Sequence, residues 1–283
     1  MITERKRWHI IPKIIGYVVL LAVALAMVVP FMWMVSTSLR PSGSAFSYPP
    51  QIFPTSWEFS NYERLFTLVP FGRYFLNTVI VTVFTVIGQV LICSMAAYAF
   101  ARLRFIGRDT MFILYLATMM IPSQIILIPL YLLVYALGWI NTYQGLIVPG
   151  ISSVFGIFLL RQAFMGVPQD YQDAARIDGA REWTIYWKIF LPLNGPALAT
   201  LGVFAFMGTW TELLWPLLIG RDQSMRTLEV GLAYFNSQTT AFQQTNWPIV
   251  MAAAVVVMLP VLIIYIFAQR YFVQGIALSG VKG

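Results

Sequence analysis

Long apolar runs, broken by short basic, polar or proline-rich stretches, fill the chain between residues 14 and 269. Six of them are long or apolar enough to cross a membrane: 14–36, 74–101, 111–137, 145–165, 197–219 and 249–269. An α-helix rises about 1.5 Å per residue, so about 20 apolar residues cross about 30 Å of hydrocarbon. A helix also satisfies its own N–H and C=O groups where no water can. The pattern therefore predicts an all-α, polytopic membrane protein with six transmembrane helices. The fourth run is the least clean, since Arg161 and Gln162 shorten it, although an arginine can snorkel to the interface. The first run stands where a signal peptide would. It is too long for one and has no small-residue cleavage site before Arg40, so it is read as a span.

Three connecting segments carry further pattern. Residues 40–73 hold Pro41, Pro49, Pro50, Pro54 and Pro70, with Trp57, Phe59 and Tyr62 among them, which predicts an irregular loop with one short interfacial helix at 61–68. Residues 221–247 are polar and rich in Gln, Thr and Asn, and are expected to be a loop suited to a soluble partner. In residues 166–196, Pro168 can open a helix whose first turn carries Asp170 and Asp173. Ala174 and Ala175 are expected to leave a bare surface, and Gly179 permits a turn that a β-carbon would hinder. A second amphipathic helix over 181–191 is expected to turn Ile185, Ile189 and Pro192 toward the membrane interface, with Trp183 and Trp187 along it. Pro192 and Pro196 close the unit. Taken physically, this is either a knob that docks in a cleft of another protein or an interfacial hairpin that tethers two spans.

Composition supports lipid as the main solvent: 59% of residues are hydrophobic and 10% charged, against roughly a quarter charged in soluble domains. The net charge of +7 does not point to nucleic acid, because the basic residues cluster at the ends of apolar runs, as topology signals do. Arg5, Lys6, Arg7, Lys13, Arg102, Arg104, Arg108, Arg161, Arg176, Arg181, Lys188, Arg270 and Lys282 fall on one side, thirteen of the eighteen. That side is expected to be cytoplasmic and to hold both termini. The single cysteine, Cys93, excludes an intrachain disulfide, and the single histidine, His9, excludes a histidine-based metal site or a Ser/His/Asp triad in the membrane. No phosphate-binding GxxxxGK[ST] stretch occurs, so any ATP must be bound by another chain.

Polar groups inside the spans are few. Glu212, in the fifth run, is the one acid well inside a span, and a charge in lipid costs at least a few kcal/mol. Pro216 cannot donate to the carbonyl of Glu212, which weakens the helix at the same level. Glu212 and the neighbouring Thr211 are candidates for a translocation path or gate. A structural hydrogen-bond hub to another chain is the alternative. Pro122 and Pro129 free carbonyls in the third run, where Ser123 and Gln124 supply polar side chains, as in a kinked, pore-lining helix. An ion-coupled carrier would need intramembrane acid–base partners, whereas Glu212 stands alone, and no catalytic constellation supports a membrane enzyme.

Asp173-Ala174-Ala175, three residues, Gly179, nine residues and Ile189-Phe190-Leu191-Pro192 resemble the EAA loop of bacterial ABC import permeases, with Asp173 in place of glutamate. Further stretches resemble the MalG-like permeases of carbohydrate importers: Tyr74-Phe75-Leu76-Asn77-Thr78, Met120-Ile121-Pro122, Leu127-Ile128-Pro129-Leu130-Tyr131 and Asn141-Thr142-Tyr143-Gln144-Gly145-Leu146. Trp210-Thr211-Glu212-Leu213-Leu214-Trp215-Pro216-Leu217 and Gln274-Gly275 with Gly280-Val281-Lys282-Gly283 extend the likeness to nearly the whole chain. Thr211 departs from the asparagine common there. The resemblance implies a type I ABC importer permease with a MetI-like core at about 70–270, within a membrane domain at 14–273 flanked by cytoplasmic tails 1–13 and 274–283. It implies a multi-pass protein of the bacterial inner membrane that is not an enzyme and holds no cofactor. ATP and Mg would sit in a homodimeric ABC ATPase. The other implied partners are a second, MalF-like permease and an extracytoplasmic sugar-binding protein. By resemblance, Asp173, Ala174, Ala175, Gly179, Ile189, Leu191 and Pro192 couple to the ATPase. Val281, Lys282 and Gly283 would also reach it. Gln238, Thr239, Thr240 and Gln243 would contact the binding protein. The implied cargo is a di- or oligosaccharide. A permease for glycerol phosphate, an amino acid or a peptide is the alternative.

Overall fold

The computed structural model describes residues 10–45, 53–54, 56–241 and 246–280. Every regular element among the described residues is a helix. α1 (Ile10–Ser38) is apolar all round and exposed along nearly its whole length, as expected of a helix surrounded by lipid or other chains. α2 (Ser60–Leu68) is the short helix expected in the proline-rich segment. α3 (Phe71–Arg102) is the longest unbroken helix of the central region. α4 (Arg108–Ala117) and its 3₁₀ extension to Met120 meet α5 (Ser123–Ala136) at an angle of 101°. α6 (Tyr143–Ile147), extended to Gly150, meets α7 (Val154–Met165) at 43°.

The 166–196 segment forms α8 (Asp170–Ile177), α9 (Glu182–Ile185), a π-helical turn (Tyr186–Phe190) and α10 (Leu191–Leu193). α11 (Gly195–Trp210) follows after a sharp bend, then α12 (Leu214–Ile219), α13 (Leu228–Ala241) and α14 (Trp247–Gly280). Three helices are each long and apolar enough to cross a membrane: Lys13–Ser38, Phe71–Arg102 and Trp247–Gln269. With the three bent pairs counted as one span each, the described residues supply six.

The third apolar run is bent, as its prolines led us to expect, and the fifth is interrupted at the level of Glu212, so neither is a continuous helix. The third turns at Ile121–Pro122, where proline excludes the preceding residue from helical geometry. The fifth stops after Trp210 and resumes at Leu214. The expectation of a loop over the polar segment 221–247 needs correction, since α13 fills much of it.

The chain forms two compact units. One joins residues 1–70 to 232–258, and the other joins 71–231 to 259–283. In the first, the end of α1 is tied to α2. The Asn61 amide donates to the carbonyls of Ser38 and Arg40 at 2.9 and 2.8 Å, and the Ser38 and Tyr62 hydroxyls lie 2.8 Å apart. The Arg40 guanidinium covers the Trp33 ring at 4.8 Å. In the second, α3 packs along α7 and α11 around buried Cys93, Ala97, Tyr98, Leu160, Phe164 and Leu201. Gly156 lets the three helices meet, because a Cβ there would lie 2.8 Å from Leu201 Cδ1 and 3.2 Å from Cys93 Sγ.

Candidate translocation cavity and coupling hairpin

Breaking three helices at membrane depth frees backbone and polar side chains that a continuous helix would hide. They surround a cavity of about 810 Å³. Its walls come from α3 (Val81, Thr85, Gln89), the start of α5 (Ser123, Gln124, Leu127), the break between α6 and α7 (Gly150, Ser152, Ser153) and the break between α11 and α12 (Thr209, Glu212, Trp215). Phe155 and Phe204 add aromatic surface, their rings edge to face at 5.6 Å. Non-helical backbone is tolerated here because protein or a polar cavity covers it.

Two of the breaks are braced by side chains. Gln89 donates to the Gly150 carbonyl at 2.8 Å, and the Ser153 hydroxyl caps α7 by accepting from Gly156 N–H at 3.1 Å. Glu212 Oε1 accepts from the N–H groups of Leu214 and Trp215 at 3.0 and 3.3 Å, so the carboxylate satisfies the donors that open α12. The Trp215 indole donates to the Gly145 carbonyl at 3.0 Å, tying α12 to α6.

Ser123, Gln124 and Glu212 thus share one cavity wall. Thr211 is not among the described lining residues, and its hydroxyl turns back to the Met207 carbonyl at 2.8 Å. Thr85, Gln89 and Ser152 line the cavity and were not singled out from sequence. A lone amide in an apolar run, as at Gln89, was the available signal. Thr85 and Ser152 carry none, because such hydroxyls are ordinary in membrane helices.

The hairpin of residues 166–196, the candidate coupling element, is built from α8 onward. Gly179, at φ +80°, follows α8 in the left-handed conformation. Its N–H donates to Arg176 O at 3.0 Å, and Ala180 N–H donates to Ala175 O at 2.9 Å, which is the Schellman pattern. Asp173, Ala174 and Gly179 lie on the outer surface with Tyr171 and Ile177, the latter 86% exposed. The expected bare Ala174–Ala175 surface is half right. Ala175 faces inward and is buried in the core, because adjacent helical positions lie 100° apart. Ile185 does not face the membrane interface but is fully buried with Tyr186 and Phe190. Ile189 and Leu191 pack against that same cluster, while Pro192 is exposed. Trp183 and Trp187 remain exposed.

Glu182 is the hub of the hairpin, and sequence reasoning passed over it. Its carboxylate accepts from Tyr98 Oη at 2.6 Å, from Arg176 Nε and Nη2 at 2.9 and 2.7 Å, and from Gln172 Nε2 at 3.3 Å. Burial alone would push this carboxyl up, but the Tyr98 and Arg176 hydrogen bonds outweigh it and hold the group below the usual glutamate range. The same hydrogen bond raises Arg176 above its ordinary value. A second tie joins the Ser94 and Tyr186 hydroxyls at 2.7 Å in the core. The hairpin is therefore bonded to α3 rather than only tethered between spans. The basic residues nearby also have fixed partners. Arg102 donates to the carbonyls of Phe164 and Val167. Arg161 donates to Phe100 O at 3.3 Å and lies 3.8 Å from Asp109, over the Phe112 ring. Protein groups therefore hold its guanidinium.

Gln238, Thr239 and Thr240 lie in the last turn of α13. Gln243, Val281, Lys282 and Gly283 lie outside the described residues.

Residues 89–278 match the family model described as the binding-protein-dependent transport system inner membrane component. The chain is 36% identical over 264 residues to the arabinooligosaccharides transport system permease protein of Halalkalibacterium halodurans, covering 92% of this chain and 93% of that one. It is 33% identical to the diacetylchitobiose uptake system permease protein of Streptomyces coelicolor, over 90% and 84% of the two chains. It is 35% identical to the sn-glycerol-3-phosphate transport system permease protein of Yersinia pestis, over 73% of each. Among solved structures, a bacterial ABC transporter involved in the import of the acidic polysaccharide alginate superposes with a TM-score of 0.83 at 27% identity, covering 96% of this chain and 99% of that one.

Proposed function

Since the chain belongs to the binding-protein-dependent transport system inner membrane components, we propose that it passes a di- or oligosaccharide from an extracytoplasmic binding protein into the cytoplasm. It does so as one permease of an ATP-binding-cassette importer. The observation that carries this reading is the character of the cavity wall. Hydroxyls and amides of Thr85, Gln89, Ser123, Gln124 and Ser152 alternate with aromatic rings of Phe155, Phe204 and Trp215. Neutral donors and acceptors can exchange with sugar hydroxyls, and aromatic faces suit their apolar ring faces. A volume of about 810 Å³ falls within the roughly 300–1,000 Å³ of ligand pockets.

Glycerol phosphate is the second reading, supported by the Yersinia relative. A phosphate ester calls for charge-assisted donors. No lysine or arginine is among the described lining residues, and the one ionisable side chain there is the acid Glu212.

In this reading the permease performs no chemistry. A homodimeric ATPase binds ATP and Mg, seats the α8 hairpin through Asp173, Ala174 and Gly179, and moves it as the nucleotide sites close. Residues 281–283 make a further contact with the ATPase. A second permease closes the open side of the cavity, and the 238–243 segment meets the binding protein outside. Both termini are cytoplasmic.

The test is reconstitution with the second permease and the ATPase in proteoliposomes. Arabino- or chito-oligosaccharide on its binding protein should stimulate ATP hydrolysis and accumulate inside. Stimulation confined to a glycerol-phosphate-loaded protein would transfer the assignment to the second reading.

A further inference from the structure

The outer end of α3 carries a buried polar cluster away from both sites above. Asn77 is fully buried, yet all of its side-chain groups are used. Its amide donates to the carbonyls of Ser224 and Arg226 at 2.8 and 2.9 Å, and its own oxygen accepts from Tyr143 Oη at 2.8 Å. The adjacent Thr78 hydroxyl accepts from Leu228 N–H at 2.7 Å and donates to the Tyr74 carbonyl at 3.0 Å. Gly231 then sits on Tyr74 so closely that a Cβ would lie 2.2 Å from Cδ2 of the ring.

The two carbonyls belong to the middle of a 3₁₀ turn, Gln223–Met225, and to the residue that follows it, and Asn77 supplies the donors that a longer helix would have given them. Residues 224–231, the root of α13, are therefore bonded to the first turns of α3. Tyr143 extends the tie to α6. One helical turn farther along α3, Val81 lines the cavity.

We propose that Asn77 is a positioning residue for stimulation by the binding protein. It holds the root of α13 on α3, so that a load on α13 reaches the cavity wall. This rests on the transport reading above, in which the chain answers to an extracytoplasmic binding protein. Hydrogen-bonded, packed elements carry such a load only while the bonds hold.

The experiment uses the reconstituted complex in a Cys93→Ala background. Asn77→Leu leaves two carbonyls and a tyrosine hydroxyl without their partner. It should lower binding-protein-stimulated ATP hydrolysis roughly tenfold, the size expected for orphaned buried groups, while unstimulated hydrolysis stays near wild type. Adding Thr78→Cys and Leu228→Cys then replaces the latch covalently. The 2.7 Å hydrogen bond and standard bond lengths put the two Cα atoms within about 6.6 Å, inside the range of about 4.4–6.8 Å that a disulfide spans. Oxidation should restore stimulation and reduction should remove it again. Should Asn77→Leu not accumulate, Asn77→Asp, which turns an acceptor toward the same carbonyls, is measured by the same readouts. Full stimulation of the Asn77 variant overturns the proposal. So does an equal fall in stimulated and unstimulated hydrolysis, or a formed disulfide without recovery. A wild-type complex that no sugar-loaded binding protein stimulates overturns the transport reading as well, so the two failures are told apart.

Discussion

Glu182 and Gly145 are two residues whose importance depends on contacts that only the folded chain makes. Glu182 joins the hairpin to Tyr98, and removing it leaves a buried hydroxyl and a half-exposed arginine without their acceptor. Glu182→Ala should therefore loosen the hairpin by about 1 kcal/mol, a figure already reduced for solvent screening of the exposed arginine. The carboxyl is held below its ordinary value, so its contribution is present above the unfolded value and is lost as pH falls through the folded one. Amide-exchange protection of residues 172–186 should thus persist down to about pH 4.3, the unperturbed glutamate value, and fall about fivefold only below it. Loss of protection near neutral pH would contradict the ion-pair assignment. Gly145 is constrained sterically, since a Cβ there would lie 2.2 Å from the Trp139 carbonyl oxygen, a backbone atom that cannot swing away. Gly145→Ala should cost about 2 kcal/mol and lower the Tm. Gly16→Ala, with nothing within 4 Å, serves as the control. Equal melting temperatures would remove the argument. Glu182 did not stand out in the sequence, where it looks like an ordinary helix-opening acid, and Gly145 appeared only as part of the Asn141–Leu146 stretch, with no sign of its steric role. Each role is set by a carbonyl or hydroxyl brought near by folding.

Among the elements, the α8–α10 hairpin was the most legible. Its spacing from Asp173 to Pro192 is local, and a glycine after a short helix marks a turn by backbone conformation alone. The space around Gly179 is open, so its constraint is conformational: φ is +80° with nothing within 4 Å. Asparagine tolerates that conformation, whereas a β-branched residue strains it by about 1–2 kcal/mol. Gly179→Asn should keep the ATPase bound. Gly179→Trp should leave the permease inserted but release the ATPase on co-purification, because its bulk stands on the docking face. Retention of the ATPase by Gly179→Trp with normal uptake would show that this face is not the dock. The broken spans were only partly legible. Proline at 122 and 216 weakened the expectation of continuous helices, and a turn of 101° follows the first. Proline at 129 and 260 lies inside helices that continue through it. A missing donor permits a break, but neighbouring helices decide whether one forms.

For the whole molecule, the basic asymmetry leads us to expect residues 102–108 and 166–196 in the cytoplasm and residues 40–73 outside. Accessible positions in these segments make a direct test in a Cys93→Ala background. Ile106 and Ile177 are fully or almost fully exposed, and Trp57 is 62% exposed. In sealed cells an impermeant thiol reagent should label Trp57→Cys but neither Ile106→Cys nor Ile177→Cys, and all three after permeabilisation. Labelling of Ile177→Cys in sealed cells would invert the orientation. The sequence alone determined the solvent of the chain, its six apolar crossings, the absence of a nucleotide loop and the spacing of the hairpin. Transfer free energy and turn geometry act on neighbouring residues, so they can be read along a line. Tertiary structure alone decided that Thr85, Gln89, Ser123, Gln124 and Glu212 face one cavity, that Ala175 and Ile185 turn inward, and that Glu182 and Asn77 bind distant segments to α3. The partners of Gln89, Glu182 and Asn77 lie on other elements of the fold, not on neighbouring residues of the chain. Where each one points is therefore settled by which helices pack side by side, and that packing is not written in any local stretch of the chain.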